Sequence, residues 1–422
     1  MRELVVLRSG VHGVVTPRGR RLLAAWPHAQ DIGPRTAAQD AALRRLASGP
    51  LDPHDLDDEL LDRLRSGGWL ATTVVDNGHP IYTIMPLTPP PPRPFDDGEL
   101  VLSRFAVMRQ GDWGLVIESP RSWCEIRVHD ASVVAALLES TVDGRMRLDL
   151  AWAGVLVPAG SEDDELRLSQ WGPHELWFHH RSRGVPGDRT GATYWAHGRF
   201  EPLPVRPPEY PGPVVELAKP GSDRKDPSLT EVLETRRSIR VHDDDHPITA
   251  GELGELLYRC GRTDSVHHDG YQELAARPYP NGGAAGELEL YPVIRHAAGV
   301  APGMYHYDSH DHVLRLVRSS TDPAVRRLLI AAARGTGAAE PQVLIVVAAR
   351  FGRLMWKYEA IPYSAILKHV GVLFQTMYLV ATAMGLAPCA VGAGDSQAFA
   401  EATGRDPLVE NSVGEFMLGR PA

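Results

Sequence analysis

At 422 residues the chain has room for two or three domains, each with its own core. A composition of 43% hydrophobic and 23% charged residues is globular and excludes long disordered tracts. A formal charge of -9 excludes a protein whose main task is holding nucleic-acid phosphates, since that binding draws on an excess of Lys and Arg. Cys124, Cys260 and Cys389 are odd in number and widely spaced, which supports neither a disulfide framework nor a zinc cluster. Buried thiols in a reducing cytosol are expected. Met1 to Arg8 does not read as a secretory signal, so a cytoplasmic location is expected.

Residues 1–87 predict a small mixed module. Short strands at Leu4–Leu7 and Gly13–Thr16 precede helices at about Thr36–Leu46 and Asp55–Leu64. Strands Trp69–Val75 and Ile81–Leu87 then flank the turn Asp76-Asn77-Gly78. Helix, helix and hairpin form a winged-helix pattern. Its second helix carries Asp55, Asp57, Asp58, Glu59 and Asp62 against Arg63 and Arg65, which is wrong for a helix lying among phosphates. A protein- or peptide-binding use, or a structural one, is expected instead.

Thr88 to Pro94 reads as a stiff polyproline spacer and marks the first boundary. Residues 95–183 predict a second small mixed α/β module, with strands at Leu100–Met108, Trp113–Glu118 and Cys124–Val128 and a helix at Ala131–Leu138. It ends in Trp171–Arg183, where His174 and His179 are five apart and would fall on different helix faces, so no metal site is expected. Residues 184–227 are rich in Pro and Gly and read as a linker.

The last domain, residues 228–422, opens with the capping box Ser228-Leu-Thr-Glu231, on a helix with Leu229, Val232 and Leu233 to one side. That helix runs into Arg236-Arg237-Ser238-Ile239-Arg240. Guanidinium forks match phosphate oxygens, so the cluster can clamp a phosphate; a solvated basic turn gives the same local pattern. Thr249–Glu252 caps another helix with Leu253, Leu256 and Leu257 inward. Pro280-Asn281-Gly282-Gly283 frees backbone amides for close approach to a flat ligand, or is a plain turn. Strands at Leu288–Ile294, Gly303–Tyr307 and Val343–Ala349 and a helix near Pro323–Arg334 complete an α+β sheet domain. Between Val370 and Val391 no residue is charged, enough for a membrane span by length. Gln375, Thr376, Thr382, the breaks at Gly385 and Pro388 and the missing flanking belts argue against one, so a buried central helix and no membrane are expected.

Glu234–Arg240, Pro280–Gly283, Gly303–Asp308, Trp356-Lys357-Tyr358 and His369–Gln375 through Ala383–Leu386, in this order, resemble the nitroreductase fold. More closely they resemble its SagB-type azoline dehydrogenase branch, the enzymes of thiazole- and oxazole-modified peptide biosynthesis. The front modules are similar to the winged-helix, peptide-binding regions placed before the flavin domain in some of these enzymes. The resemblance implies an α+β, nitroreductase-like domain preceded by two winged-helix-like modules, with FMN at a homodimer interface. Arg236, Arg237 and Arg240 would hold the phosphate and ribityl oxygens, with Ser238 on the flavin edge. Pro280, Asn281, Gly282 and Gly283 would border the ring, although relatives commonly have Ser at the place of Asn281. Gln375, Gly392, Gly394 and Arg420 would complete the cofactor contacts.

Lys357-Tyr358 matches the Lys-Tyr pair of these dehydrogenases. Azoline oxidation removes a proton from the Cα side and a hydride from the neighbouring ring carbon, so FMN would take the hydride while a nearby amine or phenolate removes the proton. Lys357 would serve as base near neutral pH only with a depressed pKa, and Tyr358 would orient the ring or share the proton. The implied function is oxidation of thiazolines or oxazolines in a leader-bearing ribosomal peptide, with oxygen restoring FMN and a cyclodehydratase as candidate partner. Two alternatives stand beside it: a nitro, quinone or dehydroalanine reductase on the same fold, and a catalytically silent scaffold that recruits a peptide.

Overall fold

The computed structural model describes residues 1–15, 21–25, 28–93, 98–142, 144–184, 189–221 and 225–422. Thr16, Pro94, residues 95–97 of the expected second module and residues 185–188 and 222–224 of the expected linker lie outside them. The chain divides into two units, Met1–Arg189 and Thr190–Ala422.

The first unit begins with β1 (Arg2–Leu7), β2 (His12–Val15), β3 (Arg21–Ala25) and β4 (His28–Asp31), followed by α1 (Ala37–Ser48) and α2 (Asp58–Ser66). Thr36 and Gln39 close a capping box on α1, and the Asp57 carboxylate caps α2 by accepting the Leu60 N–H at 3.0 Å. Asp58 and Glu59 occupy the first turn of α2, where negative charge meets the positive end of the helix dipole. The acids of α2 therefore have a structural use. β5 (Leu70–Asp76) and β6 (His79–Pro86) form a hairpin whose turn residues Asn77 and Gly78 have φ of 48° and 85°, as a two-residue turn requires.

Beyond it lie β7 (Leu100–Leu102), β8 (Val107–Gly111), β9 (Gly114–Glu118), β10 (Cys124–Val128), α3 (Ala131–Glu139), α4 (Gly144–Trp152), β11 (Leu156–Pro158), α5 (Leu166–Ser169) and α6 (Pro173–Ser182). The six-stranded order β1-β5-β6-β10-β9-β8 runs through both expected front modules, because β6 pairs with β10. The proline stretch between them is a strap on this unit. Prolines cannot donate to a ladder, and here Trp152 Nε1 donates to the Pro91 carbonyl at 2.8 Å while Arg93 lies over the Trp152 ring.

The second unit comprises β12 (Gly191–Ala192), β13 (Val214–Glu216), α7 (Leu229–Thr235), α8 (Ala250–Gly261), β14 (Ser265–His268), β15 (Glu273–Ala276), β16 (Leu288–Ile294), β17 (Gly303–Asp308), β18 (Val313–Ser319), α9 (Pro323–Thr336), β19 (Val343–Arg350), α10 (Gly352–Met355), β20 (Tyr358–Glu359), α11 (Pro362–Ala383), β21 (Ala387–Val391), α12 (Ser396–Thr403) and β22 (Glu410–Gly419). Its sheet has the order β13-β18-β17-β16-β19-β22-β21. Alternate residues of central β19 serve opposite faces: Val343, Ile345 and Val347 pack with α8 and α11, and Leu344, Val346 and Ala348 with α9 and α12. A strand covered on both faces is apolar throughout, which is why Val343–Ala349 reads as an unbroken run.

Three expectations are corrected here. α11 is buried on one face only: Ile366, His369, Val370, Leu373 and Met377 are buried, whereas Tyr363 and Leu367 are 41% and 38% exposed. On α7 only Val232 turns inward, and Leu229 and Leu233 are exposed. The described part of the expected linker is built into the unit: β12 pairs with β20, β13 is an edge strand, and the Leu203 and Val205 carbonyls accept from the buried guanidiniums of Arg353 and Arg350. Buried arginines need such acceptors, so this stretch cannot be loose.

Candidate functional site

The loop after Tyr279 is the first component. Gly283 has φ of 61°, in the left-handed region that favours glycine, and a Cβ there would stand 2.9 Å from the Tyr358 hydroxyl and 3.4 Å from Lys357 Nζ. The glycine thus lets the loop backbone close on the Lys-Tyr pair. Asn281 turns its side chain to its own loop, accepting the Gly286 N–H at 3.1 Å, while Pro280 is exposed. The Gly282 N–H donates to His369 Nε2 at 2.8 Å, and His369 Nδ1 donates to Glu287 Oε1 at 2.5 Å. Because Nε2 accepts, the neutral ring carries its proton on Nδ1, and the fully buried Glu287 fixes that tautomer.

Lys357 is 8% exposed. Its ammonium lies 5.0 Å from the Tyr194 ring centre, 5.6 Å from that of Tyr358 and 3.6 Å from Asp269 Oδ2. Burial alone would lower its pKa. A hydrogen bond with the Tyr194 hydroxyl and the charges of Tyr358, Tyr194 and Asp269 outweigh burial and hold it above the ordinary lysine range. The condition that a lysine base would need, a depressed pKa, is not met by these surroundings: Lys357 is an ammonium at neutral pH. Burial would raise the Asp269 carboxyl, but N–H bonds from Gln272 and Tyr271 and the Lys357 charge hold it low.

The arginine segment meets another side of α11. Ser238 Oγ and the Tyr378 hydroxyl are 2.8 Å apart, Tyr378 accepts the Ala390 N–H at 2.8 Å, and Ile239 N–H donates to the Pro388 carbonyl at 2.9 Å. Arg236 lies 5.2 Å over the Tyr378 ring, and Arg237 donates to the Glu234 and Arg236 carbonyls. Arg237 and Arg240 are exposed. Gln375, one turn before Tyr378, is exposed too. Successive residues on a helix turn by about 100°, so His369 and Tyr378, nine apart, point to opposite faces of α11. Arg420 is close in the backbone, where its carbonyl accepts the Asp243 N–H at 3.0 Å, yet its guanidinium is paired with Glu252 at 2.7 Å. Gly394 owes its lack of a side chain to Glu415, whose Oε1 would be 2.0 Å from a Cβ; around Gly392 there is open space.

The structure thus brings Gly282, Gly283, Lys357 and Tyr358 together, and separately places Arg236 and Ser238 against Tyr378, with Arg237 and Arg240 exposed on the same segment. Sequence reasoning missed Glu287, His369, Tyr194, Asp269 and Tyr378 as site residues. One signal was available: Glu287 and Glu289 border and enter an apolar strand, and buried acids need partners.

The α+β sheet between helix layers thus carries a glycine loop and a basic segment packed against two sides of α11. The description Nitroreductase family matches residues 233–420. The nitroreductase-like protein MJ1384 of Methanocaldococcus jannaschii is 30% identical over 183 residues, covering 43% of this chain and 86% of the relative. The chain belongs to the nitroreductase family, whose members are FMN-dependent oxidoreductases. Among solved structures, a nitroreductase-like protein of Ralstonia eutropha aligns at 21% identity and TM-score 0.41, over 53% of this chain and 98% of its own. The Escherichia coli microcin synthetase McbBCD complex, with truncated pro-MccB17 bound, aligns at 18% identity and TM-score 0.38, over 48% of this chain and 76% of that chain.

The donor set suits the phosphate of FMN: the guanidiniums of Arg236, Arg237 and Arg240 and the Ser238 hydroxyl match its oxygens.

Proposed function

We propose that this protein oxidises thiazoline or oxazoline rings of a ribosomally made peptide to thiazoles or oxazoles. The observation that carries this reading is the closure of Gly283 on both Lys357 and Tyr358, which sets two polar groups against one loop backbone. Arg236, Arg237, Arg240 and Ser238 would hold the FMN phosphate, and the Gly282–Gly283 backbone would border its ring. FMN, when bound, supplies the hydride acceptor. Lys357, already protonated, stabilises negative charge beside the loop. Tyr358, whose hydroxyl borders Gly283 beside the ammonium, then shares in moving the Cα proton.

The exposed side of α11, with Tyr363, Leu367, Gly371 and Gln375 at i,i+4 spacing, is the surface for a homodimer. It supports composition of one site from two chains, since the arginine segment lies toward that side and the glycine loop toward the other. A leader-bearing precursor, a cyclodehydratase partner and a cytoplasmic setting belong to the same proposal.

The test is to load the full chain with FMN and incubate it in air with a synthetic thiazoline peptide, reading loss of two hydrogens per ring by mass spectrometry. Conversion that disappears in Lys357→Ala with FMN retained is the expected result. Rapid turnover of small quinones with reduced nicotinamide, and no azole, would overturn it in favour of a reductase. That second reading draws on the same protonated Lys357, because an ammonium also stabilises charge arriving on a reduced substrate.

A further inference from the structure

Tyr194 stands in a segment that precedes the residues matched to the family, 233–420. Its φ of 52° belongs to a region that residues other than glycine rarely adopt. The surrounding structure holds it there. Its N–H donates to the Lys357 carbonyl at 2.9 Å, Gly191 and Ala192 pair with Glu359 and Tyr358, and Thr193 bonds the Glu359 carboxylate. Trp195 Nε1 donates to the Met355 carbonyl at 2.6 Å, and Trp356 Nε1 to the Phe200 carbonyl at 2.8 Å. The segment is therefore bonded from both ends to residues 355–359. Its ring is set as firmly, packed 4.5 Å from that of Tyr271, which touches His197 in turn.

We infer that Tyr194 is the positioning residue for Lys357, seating the ammonium between its ring and hydroxyl on one side and Asp269 on the other, beside Tyr358. The geometry has one purpose that packing alone does not require: a strained backbone aims a tyrosine at a buried amine within reach of Gly283. Asp269, Tyr194 and Tyr358 are the titratable groups facing Lys357, with His197 at the edge of the aromatic cluster. Tyr194 thereby fixes both the place and the protonation of the site's cation, a contribution from outside the matched family residues. The kinetic part of this inference rests on the proposed azoline oxidation.

The experiment uses the full FMN-loaded chain with 13Cε-labelled lysine. The sequence has only four lysines, at 219, 225, 357 and 368, and Lys357→Ala assigns the signal. In Tyr194→Phe, which keeps the ring, the Lys357 titration midpoint is expected to fall by about one pH unit, a tenfold change in its equilibrium. The same variant should lose about tenfold in kcat on the thiazoline peptide with little change in KM, the mark of an interaction used in the transition state. Tyr194→Leu should lower both further. An unmoved Lys357 midpoint in Tyr194→Phe overturns the inference, whatever the activity. If the wild type oxidises no azoline, the proposed function fails while the midpoint still decides the role of Tyr194.

Discussion

The two helix layers on the seven-stranded sheet differ in how each is finished. α9 buries Val325, Leu328 and Leu329 and turns Arg326 and Arg327 outward, where they pair with Glu340 and with Asp395 and Glu401. α11 buries Ile366, Val370, Leu373 and Met377, yet also exposes Tyr363 and Leu367. A helix of the first kind is complete within one chain; one of the second kind carries apolar surface for something further. α11 thus has two faces of different use, one packing inward and one presenting a surface outward.

The largest effect should come from the inner face of α11. Leu373→Ala should cost about 2–5 kcal/mol in denaturant unfolding, and a cost below about 1 kcal/mol would mean that this face does not bear the core packing. His369→Ala comes next, at about 3 kcal/mol, because it strands the buried Glu287 carboxylate and the Gly282 N–H together. Rescue of that loss by the double variant Glu287→Gln, His369→Ala would identify the stranded charge as its cause.

The opposite layer holds a different sensitivity. Burial raises the Glu415 carboxyl to about 7, against a weaker opposing bond from Ser412 and with support from the Asp395 charge. Its folded pKa lies above the unfolded one, so between pH 4.5 and about 7 the folded state binds more protons and loses stability as pH rises. Glu415→Gln should therefore stabilise by at most about 3 kcal/mol at pH 8 and by almost nothing at pH 4. Equal effects at the two values would show that Glu415 is not held neutral by its burial. The smallest effect on folding is expected at the outer face: Leu367→Glu should change unfolding by about 0.5 kcal/mol or less. Sedimentation should nonetheless show the proposed homodimer shifting to monomer, and an unchanged profile would remove that face from the interface.

Much of the architecture was legible because it is local. The helix cap at Thr249, the Asn77-Gly78 turn and the apolar run of β19 each declare an element within a few residues, and the structure has those elements. The chemistry-bearing residue types were legible too: Arg236 to Arg240 and the Gly282–Gly283 loop stood out by composition, and Lys357-Tyr358 through the family resemblance. Tertiary structure alone decided what those groups are. Glu287 meets His369 across 82 residues and His369 meets Gly282 across 87, separations over which no periodicity carries information. The same holds for Lys357, which sequence reasoning expected as a base. Its charge is set by Tyr194 and Asp269, brought to it from distant segments, because in a buried site the partners that the fold supplies, more than the side chain itself, decide where the proton rests.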